Sequence, residues 1–377
     1  MPADHSNFFS PSSGARLLTC PGSAKASEGI PEQISLFANE GTDAHELAEI
    51  RLKERFGIKC DSKVEDLTWY SQEMEDYIEG YVNYVFEKYQ EAKESAPDPV
   101  LLIEQKVSAE RYHESLYGTT DVSLISDKTL TIVDLKYGKG VMVDSKENVQ
   151  EMIYAICCLE TFGNLYDIEL VKLCIYQPRL NSVSEWEVSV KALYEWADKV
   201  LMPGIEKIKN GSEEFHPSKH CVFCKAKPLC KALRDVNLEI AKYEFRPPFL
   251  MDDDEIEDVL EKADDFSSWI KSVQEFALAD AIHGKKYKNW KLVEGRSTRK
   301  YSDEAKVAEV VKEAGYSPYE EKILSITEMT SLLGKKRFTE LIGPYLVKPK
   351  GKLVLAPKDD KRPEVTSAEA DFINEDN

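Results

Sequence analysis

The chain has 377 residues, of which 42% are hydrophobic and 31% charged, and its formal net charge is −19. This length is enough for a large core and about two domains. Such an acidic balance argues against indiscriminate binding along a phosphate backbone, unless basic groups line one channel. Without a membrane-spanning apolar run or a secretory signal pattern, we expect a cytoplasmic protein with no membrane contact. The eight cysteines are then metal ligands or buried thiols rather than a disulfide framework.

Two helices predicted near the start each carry one residue of chemical interest. Residues 12–20 (SSGARLLTC) follow a proline, begin with a serine cap and end at Cys20. Residues 41–56 have amphipathic spacing, which puts His45 on one face of a helix. Neither residue is specific alone, because such a cysteine is often buried and a lone histidine often serves packing.

The strand predicted over residues 100–107 (VLLIEQKV) carries Glu104 in its middle. A long helix over about residues 68–93 precedes it, and Pro97 and Pro99 separate the two elements. Glu104 is either an acidic member of a site or a partly exposed strand residue, and the pattern favours neither.

A hairpin predicted over residues 118–136 (GTTDVSLISDKTLTIVDLK) brings charged groups together. Two β-branched runs joined by a polar turn are typical of antiparallel strands. Alternation places Asp134 and Lys136 on one face of the second strand, and Asp121 begins the facing strand. Carboxylates this close repel unless a cation lies between them, and hard oxygen ligands suit Mg²⁺ or Mn²⁺. The alternative is a hairpin with solvent-exposed charges.

A helix predicted over about residues 146–163, capped by Asp144 or Ser145, follows the hairpin. Gln150 and Tyr154 are one turn apart on it and therefore share a face. An amide and a phenol at this spacing could contact a nucleic-acid backbone or orient a nearby lysine. The alternative is an ordinary polar helix face.

The order of the elements predicts the fold class and the domains. Three strands, a helix, two strands and a helix are typical of an α/β fold with a mixed central sheet flanked by helices. Residues 1–234 form this domain, and residues 235–355, with a long helix over about 252–282, form a mostly helical C-terminal extension. Residues 356–377 are highly charged and poor in apolar side chains, so we expect disorder there.

Three of the cysteines lie in a turn-rich segment, residues 216–230 (HPSKHCVFCKAKPLC). Cys221 and Cys224 have the spacing with which two thiolates bind one centre from a single turn, and Cys230 follows shortly after. A four-sulfur site needs one more ligand, for which Cys20 is the best candidate. The spacing alone fits Zn²⁺ and a [4Fe–4S] cluster equally well.

The most basic aromatic stretch of the chain starts at residue 285 and ends at residue 301 (KKYKNWKLVEGRSTRKY). It could bind single-stranded nucleic acid by stacking and charge. A charged surface hairpin explains the pattern equally well. The candidate contact residues are Lys288, Trp290, Arg296 and Arg299.

Taken as a set, the motifs resemble those of PD-(D/E)XK nucleases, in particular the RecB-like branch. The resemblance covers about residues 8–234 and is that of a phage or prophage member. The cysteine arrangement resembles the iron–sulfur staple of the AddB-type and CRISPR-adaptation nucleases. The matching motifs, in chain order, are G-x-x-x-H at Gly41 to His45, the catalytic motif at Gly118-x-x-Asp121 and Asp134-Leu135-Lys136, and Q-x-x-x-Y at Gln150 to Tyr154.

The resemblance implies a restriction-endonuclease-like core and a metal-dependent DNA nuclease. In this branch the ion, Mg²⁺ or Mn²⁺, would be held by His45, Asp121 and Asp134, with the Leu135 carbonyl as a further ligand. The resemblance to nucleases with an iron–sulfur staple implies [4Fe–4S] rather than zinc at Cys20, Cys221, Cys224 and Cys230. The catalytic residues that the resemblance implies are Asp121, Asp134, Lys136, Gln150 and Tyr154, and Glu104 is a further catalytic candidate from its place on the predicted strand.

The branch is mostly exonucleolytic, so the expected activity is hydrolysis of linear DNA in phage recombination or repair. A phage single-strand annealing protein would be the partner, in the bacterial cytoplasm. The alternative function is a catalytically silent DNA-binding or assembly module with the same fold.

Overall fold

The computed structural model describes residues 9–30, 36–239, 252–294, 302–319 and 323–347. These residues fall into two compact units, one ending at Leu292 and the other beginning at Val293. The strands of the first unit are β1 Val100–Ser108, β2 Tyr117–Ser126, β3 Thr129–Leu135, β4 Leu170–Gln177 and β5 Ser182–Ser189. Its helices are α1 Pro11–Thr19, α2 Gly22–Ala26, α3 Leu36–Phe56, α4 Gln72–Ser95, α5 Val149–Phe162, α6 Val190–Trp196, α7 Met202–Lys209, α8 Lys231–Leu238 and α9 Asp253–Ile282. The second unit contains α10 Glu304–Glu313, α11 Ile326–Leu333 and α12 Lys335–Ile342.

The first unit is built on one sheet whose five strands lie in chain order. The first three strands are antiparallel, β3 and β4 run parallel, and β5 returns antiparallel to β4. Parallel neighbours need a crossover connection, and α5 supplies it between β3 and β4. The predicted α/β fold, a mixed sheet flanked by helices with a helical C-terminal region, is confirmed.

Helices cover both faces of the sheet, so successive residues of a central strand are buried on opposite sides. On one face, Ile132 and Leu173 belong to a core cluster with residues of α1, α5, α6 and α7. On the other face, Val133 and Cys174 pack with residues of α3 and α4. A sheet buried on both sides leaves no polar face, so its central strands are nearly continuous apolar runs. A charged residue at the end of such a strand therefore needs a specific environment.

Helix α5 is enclosed by the sheet and its neighbours, and the residues from Glu151 to Leu159 are all buried. The helix begins after Asn148, whose side chain accepts hydrogen bonds from two backbone N–H groups of the first turn. The predicted cap at Asp144 or Ser145 is wrong, because Ser184 on β5 hydrogen-bonds both of those side chains instead.

Helix α9 packs within the first unit against the cysteine-bearing segment, where the Lys227 ammonium donates a 2.7 Å hydrogen bond to Ser268 Oγ. Its N-terminus has a reciprocal cap between Asp252 and Glu255, and the acidic first turn suits the helix dipole. In the second unit, α10 and α11 are likewise capped by Asp303 and Ser325.

The expected disordered tail, residues 356–377, lies outside the described residues, and the domain boundaries after residues 234 and 355 stay predictions. Among the residues that the structure does describe, no helix is long and apolar enough to span a bilayer.

Candidate metal centre

Three potential metal ligands from three elements meet at one end of the sheet. His45 comes from α3, Glu104 from β1 and Asp121 from β2, and one ligand atom of each lies within 4.8 Å of the others. The register explains the two carboxylates: flanking pairs in β1 and β2 place Glu104 directly opposite Asp121. His45 reaches them because α3 covers this face of the sheet.

Glu104 has a strained backbone, with a φ of 49° in the middle of a strand. This left-handed conformation costs a residue other than glycine about 1–2 kcal/mol. Strain of this kind persists where surrounding structure over-determines it, and it clusters at functional sites. Here it interrupts the β1–β2 pairing at the position where Glu104 faces Asp121.

Asp121 is held by two contacts on its two oxygens. Its Oδ1 lies 3.3 Å from His45 Nδ1, and its Oδ2 accepts a 2.7 Å hydrogen bond from the Leu135 backbone N–H. The carboxylate is therefore fixed between α3 and the end of β3. Leu135 thus serves the site through its amide, and the predicted ligation by its carbonyl stays a prediction.

Asp134, Lys136 and Gln150 form a closed ring beside this triad. Lys136 Nζ donates to Asp134 Oδ1 at 3.0 Å and to Gln150 Oε1 at 3.2 Å. Gln150 Nε2 donates in turn to Asp134 Oδ1 at 3.2 Å. Asp134 Oδ2 lies 2.8 Å from Lys136 Nζ but accepts no hydrogen bond of suitable angle from the described residues. Asp134 is not one of the three residues whose ligand atoms lie within 4.8 Å of one another, so its role as a metal ligand stays a prediction.

The electrostatics of the triad favour protons where a cation is missing. Burial lowers the pKa of His45. The carboxylates of Asp121, Asp134 and Glu104 raise it by more than burial lowers it, so the net pKa is about 9. Burial and the charge of Asp121 raise the pKa of Glu104 to about 8. Burial opposes ionisation of Asp121, yet His45 and the Leu135 N–H hold its pKa below the usual value. The acids of the site therefore raise one another's pKa values and that of His45, so the site favours a bound cation or, in its place, bound protons.

Burial and neighbouring charges also have opposite effects on the pKa values of Asp134 and Lys136. Burial raises the pKa of Asp134 despite the opposing charge of Lys136. Burial lowers the pKa of Lys136, but Asp134 and Glu151 outweigh it and the net pKa is raised. The ammonium therefore stays charged at neutral pH and is held against two buried acids.

Tyr154 is buried one turn along α5 from Gln150. A Cβ on Gly118 would lie 2.9 Å from the Tyr154 ring and 3.0 Å from Pro11, so only glycine fits there. Burial and the charge of Asp134 raise the pKa of the Tyr154 phenol. Gly118 thus permits the ring to pack beneath the strand that carries Asp121.

Glu151, next to Gln150, is a site residue that the sequence reasoning missed. It is fully buried, and its carboxyl group lies beside the Asp134 side chain, to which it can donate a hydrogen bond when protonated. Burial and the charge of Asp134 raise its pKa well above the usual value. Its position could have indicated this role, because Glu151 is a charged residue inside an otherwise apolar helical run. The family motif names only Gln150 and Tyr154 in this helix and so does not include it.

The four predicted ligands of the iron–sulfur cluster line one pocket, which also includes His216. Cys20 reaches this pocket from the C-terminal end of α1. Cys20 Sγ accepts a hydrogen bond from the His216 N–H at 3.3 Å, and Cys221 Sγ accepts one from the Ser218 N–H at 3.3 Å. Burial raises the pKa of the Cys221 thiol, and the other three sulfurs add to this. The remaining ligands that line the pocket are Cys224 and Cys230.

The basic aromatic stretch is only partly described. Tyr287 and Trp290 form an isolated antiparallel bridge after α9, and the Trp290 side chain is 81% exposed. Lys288 lies between them, whereas the predicted contacts Arg296 and Arg299 lie outside the described residues. The nucleic-acid role of this stretch stays a prediction.

Fold and site together define a mixed α/β protein whose five-stranded sheet carries a triad that could hold a divalent ion. The chain belongs to the family described as protein of unknown function DUF2800, whose model matches residues 5–363. A solved structure called "Crystal structure of SSO0001" aligns with 58% of this chain and 96% of its own, at 11% sequence identity and a TM-score of 0.21. A TM-score this low supports no inference about fold or function.

Proposed function

We propose that the chain is a divalent-cation-dependent deoxyribonuclease of the PD-(D/E)XK superfamily, acting as an exonuclease on linear DNA. Each sequence motif is weak alone, and the gathering of their charged residues at one corner of the sheet is what carries the proposal. The residues that converge are His45 on α3, Glu104 on β1, Asp121 on β2, Asp134 and Lys136 at the end of β3, and Gln150 on α5.

The donor set fits Mg²⁺ or Mn²⁺. Carboxylates are hard oxygen ligands, and one imidazole shifts the preference towards Mn²⁺. His45, Glu104 and Asp121 would hold the ion, and the Asp134 carboxylate, which lies outside this group of three, would act by fixing Lys136 and Gln150. A divalent cation bound there would neutralise phosphate charge and lower the pKa of a water molecule.

The surrounding residues of the chain supply charge and orientation. The Lys136 ammonium, fixed by Asp134 and Gln150, can stabilise the negative charge that builds up on a phosphate during attack. Gln150 holds lysine and carboxylate at once, so it sets the direction of the ammonium. Tyr154 supports this arrangement from the core side of α5.

We further propose that the four cysteines hold a structural [4Fe–4S] cluster. Sulfurs around one zinc ion lie about 3.8 Å apart, given Zn–S bonds of about 2.3 Å. Yet the described residues contain a single group of three or more ligand atoms within 4.8 Å of one another, and it is the triad of the metal centre. Four sulfurs that share a pocket at wider spacing favour a larger cluster over zinc.

The resemblance extends the proposal to biology: recombination or repair of phage DNA in a bacterial cytoplasm, with a single-strand annealing protein as partner. The alternative, a silent DNA-binding or assembly module, predicts the same fold without turnover.

The test incubates purified protein with 5′- and 3′-end-labelled linear DNA and with closed circular DNA, in Mg²⁺ or Mn²⁺. Wild type should degrade linear DNA only. Lys136→Ala and Asp121→Asn should each lower the rate by at least about 10²-fold, because each removes charge stabilisation in a buried site.

Lys128→Ala is the matched control, because Lys128 is an exposed lysine at the opposite end of β3, paired with Asp167 and Glu169. It should retain wild-type rates. Intact DNA with a mobility shift would favour the silent binding module, and intact unbound DNA would overturn both functions.

A further inference from the structure

Residues 215–234, which we call the cysteine segment, differ from the rest of the chain in their charge. The segment contains no aspartate or glutamate, although the formal net charge of the chain is −19. A polyanion that meets an acidic protein binds where basic groups gather, because the remaining surface repels it. The basic residues of the segment are Lys219, Lys225, Lys227, Lys231 and Arg234.

Two of these lysines are placed to meet a ligand. Lys219 and Lys231 are exposed, whereas Arg234 is paired with Asp235 at 2.6 Å and Lys227 donates a hydrogen bond to Ser268 on α9. The positive charge of Lys219 also acts on its neighbour, because burial and that ammonium together lower the pKa of His220. The segment therefore presents positive charge to solvent.

The same segment exposes an aromatic ring between two of its cysteines. Phe223 is 74% exposed and Val222 is 60% exposed, although Cys221 and Cys224 on either side of them line the pocket of the four cysteines. An exposed apolar group that is surrounded by polar residues is typical of an interaction surface.

The turn that carries the ring is fixed by hydrogen bonds. Ser218 Oγ accepts one from the His220 N–H at 3.3 Å, and the Ser218 N–H donates one to Cys221 Sγ at 3.3 Å. The Cys224 N–H donates to the Cys221 carbonyl at 3.1 Å. Phe223 is therefore presented on a defined backbone.

Helix α1 connects the cysteine pocket to the strand of the metal centre. Its first residue, Pro11, lies against Gly118 on β2, where a Cβ would be 3.0 Å from the proline side chain. Cys20 follows its last residue and lines the pocket. The nine residues of this helix span about 14 Å. One DNA strand covers that distance with about four nucleotides, at about 3.4 Å each.

Lysines combined with an exposed ring suit an unpaired nucleic-acid strand. Ammonium groups contact phosphates without regard to sequence. An aromatic ring stacks on a base whose face is free, which is the case in an unpaired strand. A duplex would engage the lysines and leave the ring without a partner.

We infer that the cysteine segment binds an unpaired DNA strand, with Lys219 and Lys231 on its phosphates and Phe223 stacked on a base. This inference rests on the proposed function and deepens it, because it names the surface that holds the strand to be cleaved. It also explains how so acidic a chain binds DNA, since the binding charge is concentrated in one segment.

The first test measures the affinity of Lys136→Ala for a fluorescently labelled oligo-dT by anisotropy. Adding Phe223→Leu should weaken binding about tenfold, because one base loses its stacking partner. Adding Phe223→Trp, which has a larger ring, should give binding at least as tight as with phenylalanine. Leu165→Ala is the matched control, since Leu165 is likewise 74% exposed but follows α5, and it should leave the affinity unchanged.

The second test measures how the same binding depends on salt. In Lys219→Gln/Lys231→Gln the slope of log K against log salt should be smaller by about 1.4, because each phosphate contact on a single strand contributes about 0.7. Lys191→Gln/Lys199→Gln removes the same charge from two exposed lysines outside the segment and should keep the slope.

The outcomes separate this inference from the proposed function. Unchanged affinity and salt slope in the Phe223→Leu and Lys219→Gln/Lys231→Gln variants, with cleavage by the wild type, would overturn the inference and leave the nuclease intact. Strand binding that these variants weaken, without cleavage by the wild type, would overturn the nuclease and support the binding surface. A wild type that binds no DNA would overturn both.

Discussion

His45 and Glu104 hold protons at neutral pH that a bound cation would have to displace. Their pKa values are about 9 and about 8, and both lie above neutral pH. A metal ligand must be deprotonated, so binding and proton release are linked. Raising the pH removes the competing protons from His45 and Glu104 and therefore strengthens the binding of the cation.

We expect the affinity for Mn²⁺ to rise about ten- to a hundredfold per pH unit between pH 6 and 8, as one to two protons are released per ion. Calorimetry in buffers of different ionisation enthalpy counts these protons directly. In Glu104→Gln the count should fall by close to one. A count near zero in wild type would mean that the triad is not where the ion binds.

At the level of single residues, the sequence predicts a residue where a motif names it and fails where burial decides. Alternation, a local rule, predicts that Asp121, Asp134 and Lys136 lie together, and the family resemblance adds Gln150 to them. For Glu104 the sequence left two roles open, a site acid and a partly exposed strand residue. Only the pairing of β1 with β2, which is not a local feature, brings Glu104 opposite Asp121. Glu151 was missed because core residues are predicted from their apolar side chains, and a buried acid does not follow that rule.

The interruption in β1 is a property of the element, which keeps its register on both sides of Glu104. Asparagine tolerates the left-handed region and isoleucine does not. Glu104→Ile should therefore have a free energy of unfolding about 1–2 kcal/mol lower than Glu104→Asn in chemical denaturation. Gln105→Ile, one residue along the same strand, is the control and should cost less; equal stability of the two Glu104 variants would show that the strain is absent.

Helix α5 includes a destabilising residue. Neither carboxyl oxygen of Glu151 accepts a hydrogen bond from the described residues, its one polar neighbour is the acid Asp134, and an incompletely satisfied buried polar group costs about 1–3 kcal/mol. Glu151→Met should therefore raise the free energy of unfolding by about that amount at pH 7, measured in denaturant without added metal. Its pKa is raised, so folded protein holds a proton that the unfolded chain loses above its ordinary pKa.

Stability of the wild type should consequently fall as pH rises through this range, and the fall should be smaller in Glu151→Met. Glu151→Gln keeps a buried polar group and should gain nothing. A loss of stability in the methionine variant would indicate a partner for the carboxyl group.

Among the elements, the strands and the long helices were predictable because their apolar periodicity is strong, while their ends were not. The start of α5 moved from the predicted Asp144 or Ser145 to Asn148, since Ser184 lies on a strand that comes later in the sequence. The π-helical turn at Ala197–Leu201 between α6 and α7 is equally invisible to local pattern.

At the scale of the whole molecule, the proposed cluster would tie the N-terminal helix to a segment roughly 200 residues later and would thereby remove chain entropy from the unfolded state. Protein purified without oxygen should be brown and contain about four irons per chain. Cys20→Ser should lose the colour and melt at lower temperature, and Cys60→Ser, a half-buried cysteine outside the pocket, should change neither. Colourless wild type with one zinc per chain would contradict the cluster.

The same tie has a consequence for biosynthesis. Cys20 leaves the ribosome early and has to wait for Cys221, Cys224 and Cys230 before its pocket can close. At about 5–20 residues per second, that interval is roughly 10–40 s. During it, the Cys20 thiol of the nascent chain is open to oxidation and to other metal ions, so assembly of the proposed cluster would require reducing conditions throughout translation.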